Sequence, residues 1–79
     1  MKTVNIVLHS IDQVKNFVNT MSRIEGEATL FSGRYVIDAK SIMGIFSLDL
    51  TKPMKLEIEN WKDEYEELIK KYIDKSEQD

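Results

Sequence analysis

At 79 residues the chain has room for one domain and not two. Its 42% hydrophobic and 32% charged residues describe a globular protein rather than a disordered one, and the lack of cysteine excludes disulfides and thiolate metal sites. A net charge of −3 with scattered basic residues speaks against a nucleic-acid partner, and no apolar run nears the roughly 20 residues of a membrane span. The start, Met1-Lys2-Thr3-Val4-Asn5, lacks the layout of a secretory leader, so a cytoplasmic location and no membrane insertion are expected.

Residues 2–8, KTVNIVL, are rich in β-branched side chains and read as a strand. Ser10 has the character of a helix N-cap, and Gln13 three residues on completes a capping box. Ile11, Val14, Phe17, Val18, Met21 and Ile24 then recur at helical spacing, which predicts one buried stripe. Strands are predicted over 27–31 and 34–38, joined by a Ser32-Gly33 hairpin turn. Lys40–Ser47 reads as a short helix capped by Ser41. Pro53 opens a strand over Met54–Glu59. Asn60 is the expected cap of a last helix that buries Trp61, Tyr65, Leu68, Ile69, Tyr72 and Ile73. Acidic residues precede basic ones along that helix, which offers Glu66–Lys70 and Glu67–Lys71 pairs four residues apart.

The order is β-α-β-β-α-β-α: an α/β (α+β) two-layer open-faced sandwich, with an antiparallel four-stranded sheet and three helices on one face. One domain over 1–75 and a polar, frayed tail over 76–79 are expected. The short central helix carries apolar residues on two nearly opposite sides. Ile42, Met43 and Phe46 lie on one, Ile45 and Leu48 on the other, and only one side can face a sheet. The other is either a contact surface for another protein or is covered by loops or chain ends.

Lys40-Ser41-Ile42-Met43-Gly44-Ile45-Phe46-Ser47-Leu48 resembles the segment around the regulatory serine of HPr, the small phosphocarrier of the bacterial sugar phosphotransferase system, in Gram-positive bacteria. Ser32-Gly33-Arg34, Asp38-Ala39 and Phe17-Val18 fall where that family has its hairpin, its approach to the serine and its first helix. The resemblance implies the HPr-like sandwich, and it implies Ser41 as a regulatory phosphorylation site. It also shows a departure. The family's Gly-Leu/Ile-His-Ala/Thr-Arg-Pro signature is replaced, with Ser10 at the histidine position, Asp12 at the arginine and Gln13 at the proline; His9 is displaced by one residue. An anionic phosphoryl group favours helix amides and a guanidinium, and Asp12 would repel it. Asp49 stands where the family usually has glycine, as expected of a residue that tolerates left-handed backbone.

No enzyme constellation competes: one histidine, no cysteine and no glycine-rich phosphate loop. The expectation is a non-enzymatic regulatory module with no cofactor and no metal, modified at Ser41 and contacting protein partners through Ile42, Met43 and Phe46. HPr kinase, Enzyme I or a transcriptional regulator are the partners the resemblance implies; the sequence sets no oligomeric state. Two alternatives stay open: a phosphoryl carrier that uses His9, with Ser10 as a second weak acceptor, and a binding module outside phosphotransferase biology.

Overall fold

A computed structural model of the chain describes residues 1–74, so the expected domain end at 75 and the tail 76–79 lie outside the described residues. The β-branched segments form β1 (Lys2–Ile6), β2 (Ala28–Ser32), β3 (Tyr35–Asp38) and β4 (Met54–Ile58). The helical stripes form α1 (Ile11–Met21), α2 (Ile42–Phe46) and α3 (Tyr65–Ile69), the last running into a 3₁₀ turn, Lys70–Tyr72. The sheet is antiparallel throughout, in the order β1-β4-β2-β3. Alternation sends Ile6, Leu30, Leu56 and Ile58 inward, where they meet Val14, Phe17, Ile45, Ile69 and Tyr72 from the helical layer. Phe17 and Tyr72 pack edge to face at 5.3 Å, a geometry worth about 0.5–1.5 kcal/mol beyond area burial.

Several expectations shift on contact with the structure. β1 ends at Ile6 rather than Leu8, because Val7 turns its amide to the Tyr72 carbonyl at 2.8 Å. The hairpin loop is Gly33-Arg34, not Ser32-Gly33, since Ser32 pairs with Tyr35. Gly33 at φ 58° followed by an arginine at negative φ is the II′ pattern that matches strand twist. Ile11, predicted in the buried stripe, is 62% exposed. It occupies the first helical position, where a side chain leans toward the N-terminus and past the sheet.

The last helix is the largest correction. Asn60 does not cap it. Two bonds of the three-residue type, Tyr65 N to Lys62 O and Glu66 N to Asp63 O, lead into a helix that begins at Tyr65 behind Glu64, which makes no side-chain cap. Starting late leaves Trp61 outside the helix, half-buried, edge-on to Tyr65 and beneath the Lys2 ammonium at 4.8 Å. Leu68 and Ile73 are half-buried as well, whereas Tyr65, Ile69 and Tyr72 are buried as expected. The 3₁₀ tightening brings residues three apart into register, so the ion pair formed is Glu67–Lys70 at 3.3 Å and not the predicted four-residue pairs.

Candidate functional site

Two positions carry the candidate chemistry, one at the start of each of the first two helices. At α1, Ser10 Oγ accepts the Gln13 amide at 3.1 Å, and Gln13 Oε1 accepts an amide in return at 2.6 Å. The returned bond goes to His9 rather than to Ser10 itself, so the capping box is displaced by one residue and its glutamine fixes the backbone of His9. His9 and Ser10 are exposed. They border a cleft of about 480 Å³ with Val7, Leu8, Ile11, Leu50 and Thr51, a lining with no lysine or arginine. Asp12 occupies the first turn of α1, adding negative charge where an anion would otherwise be favoured.

At α2, Ser41 leaves the extended backbone of the β3–α2 turn (φ −98°, ψ 104°) and its Oγ accepts the Gly44 amide at 3.2 Å. The turn before it is closed by Asp38, whose carboxylate takes the Lys40 amide at 2.9 Å and whose carbonyl takes the Ser41 amide at 3.0 Å. The Lys40 ammonium reaches back to the carbonyls of Ile24 (2.8 Å) and Gly26 (3.0 Å), tying this turn to the exit of α1, which has no basic residue of its own in its last turn. Gly44 is required by proximity: a Cβ there would sit 2.6 Å from Ile37 Cγ2 and 3.1 Å from Ser41 Oγ.

The opposed sides of α2 are resolved in part. Ile45 is fully buried and Leu48 nearly so, while Met43 is 76% and Phe46 38% exposed. Ile42 departs from the expected surface cluster: it is half-buried and packs against the core. The exposed apolar surface of the helix is therefore Met43 and Phe46. Ile11, beside His9, is a further exposed apolar residue that the buried-stripe reading hid; its position ahead of the first full turn was the available signal.

Beyond Leu48 the chain turns at Asp49, whose Oδ1 accepts both the Thr51 amide (3.0 Å) and the Thr51 hydroxyl (2.5 Å). These two bonds, with Lys52 nearby, hold the Asp49 carboxyl below its ordinary range. No non-glycine residue among those described has positive φ, so Asp49 serves here as a hydrogen-bonding turn residue and not, as expected, as a left-handed one.

The profile of the PTS-HPr family, described as the PTS HPr component phosphorylation site, matches residues 12–74. The chain belongs to the HPr family. The matched span contains the whole Ser41 segment and begins after His9 and Ser10. The crystal structure of HPr-C-His from Thermoanaerobacter tengcongensis is similar at 33% identity and a TM-score of 0.69, over 89% of this chain and 84% of that one. No curated protein matches. Membership in the HPr family makes this a protein of the phosphotransferase-linked, phosphocarrier type, on the open-faced sandwich its sequence implied. No helix among the described residues is long and apolar enough to cross a membrane.

Proposed function

We propose that this HPr-family chain acts as a regulatory interaction protein rather than as a phosphoryl carrier, with Ser41 as its modified residue and Met43 and Phe46, flanked by Ile42, as its contact face. The observation that carries the reading is the juxtaposition on α2: Ser41 capping the first turn, with Met43 and Phe46 exposed within five residues of it. Phosphorylation of Ser41 would add about −1.5 to −2 charges beside the Gly44 amide that already donates to its oxygen. The fold would survive while the electrostatics beside an apolar contact changed. At His9 the surroundings favour the opposite outcome: no lysine or arginine lines the cleft, and Asp12 stands in the first turn.

The test is intact-mass measurement after incubation with HPr kinase and ATP, and separately with Enzyme I and phosphoenolpyruvate. A single phosphoryl gain from the kinase, lost in Ser41→Ala, is expected. A gain from Enzyme I that disappears in His9→Ala would instead establish the carrier reading. Met43→Asp and Phe46→Asp should keep the thermal transition and lose the partner, since each forces a charge into a desolvated contact. Recovery of the same partner by both variants would remove α2 as the binding face.

A further inference from the structure

β3 is an edge strand whose free side is complementary to a second copy of itself. β1, at the other edge of the sheet, is covered at its C-terminal end: Ile6 bridges to Ile73, and the Asp74 amide donates to the Asn5 carbonyl at 2.9 Å. Among the described residues β3 has no such cover, and it carries Tyr35 at 64% and Val36 at 65% exposure with no lysine or proline to discourage pairing. The two-residue Gly33-Arg34 loop closes on Ser32–Tyr35, so main-chain groups of Tyr35 and Ile37 face β2 while those of Val36 and Asp38 face outward. The Ala39 amide bonded to Ala28 at 2.9 Å continues that alternation.

We infer that β3 pairs antiparallel with β3 of a second copy, about a two-fold axis at Val36, to form one eight-stranded sheet. Side-chain alternation allows only registers that match like faces. Centred on Val36, the ladder places Val36 against Val36 and Tyr35 against Ile37, and it sets Arg34 opposite Asp38 at both ends. Each Val36 amide donates to the other Val36 carbonyl, and each Asp38 amide donates to the other Arg34 carbonyl. The Asp38 carbonyl is left out, since it already accepts from Ser41. Moving the centre one permitted step, to Ile37, would set Arg34 against Lys40 and Val36 against Asp38, so charge selects the first register.

The experiment is sedimentation equilibrium of the full chain up to about 1 mM, with amide hydrogen exchange at Val36 followed over the same series. A reversible dimer is expected, with Val36 exchange slowing as the dimer fills. Val36→Pro removes the outward amide at a position where an edge strand tolerates proline, and should give a folded monomer. Arg34→Asp and Asp38→Arg should each be monomeric alone, and a mixture of the two should form a heterodimer, because every end pair is then Asp opposite Arg. A wild-type chain that stays monomeric throughout the series overturns the inference. So does a dimer that persists in Val36→Pro, or a mixture that fails to associate although both variants are folded.

Discussion

Gly44→Ala sets two effects of known size against each other. In an ordinary helix the change stabilises by about 1 kcal/mol, because alanine loses less backbone entropy than glycine. Here the new methyl would lie 2.6 Å from Ile37 Cγ2, about 1 Å inside the usual carbon–carbon separation. Ile37 is β-branched and half-buried, so its methyl cannot swing away without an unfavourable χ1. Overpacking of this kind costs about 1–3 kcal/mol, and the net expectation is a loss of about 1 kcal/mol. Urea unfolding followed by Trp61 fluorescence should show the midpoint falling by about 1 M, at the slope of about 1 kcal/mol/M usual for a small domain. Ile37→Val keeps both γ carbons and should give no relief. Ile37→Ala removes the offending methyl, and the double variant should be more stable than the sum of the singles by about 2 kcal/mol, the whole of the relieved overpacking. A Gly44→Ala chain more stable than wild type would refute the reasoning, and the close approach of α2 to β3 with it.

Ile69→Ala should cost about 2–5 kcal/mol and Leu68→Ala about half as much or less, a contrast readable in denaturant melts that fixes which face of α3 meets the sheet. Ser10→Ala should cost about 1 kcal/mol through loss of the α1 cap, while Ser10→Asp should be close to neutral in the same melts. The Asp49 carboxyl, lowered from its ordinary 3.8 by the Thr51 bonds, supports the folded turn above that value and loses this support as pH falls through its lowered pKa. An NMR titration should place its midpoint below 3.8, and Thr51→Val should raise it.

What was legible in the sequence was whatever local chemistry decides. Ser10 and Ser41 announce their helices because a hydroxyl three residues before a free amide has a specific bond to make, and both bonds are present. Met43 and Ile45 could be assigned to opposite sides from angular spacing alone, and the sheet then chose the Ile45 side. The features that escaped depend on partners distant in sequence. Trp61 looks like the first residue of a buried stripe until Lys62 and Asp63 spend a turn on three-residue bonds. Ile42 fits a surface cluster by period, yet packs on the core because α2 is only five residues long and lies close to β3. At the His9 site the order Ser10-x-Asp12-Gln13 already argued against a bound anion. That Gln13 would reach past Ser10 to the His9 amide follows from backbone geometry that spacing does not encode.

The bonds that join Val7 to Tyr72 and Asp74 to Asn5 have a bearing on stoichiometry. A sheet with two open sides can add units at both and grow without limit, whereas one closed by its own chain end can add a unit only once. The three residues Tyr72–Asp74 occupy the Asn5–Val7 end of the edge that a neighbour would otherwise take. Pairing through β3 consumes that edge in both copies, and among the described residues the far edge keeps its Asn5–Val7 end occupied, which opposes growth beyond two.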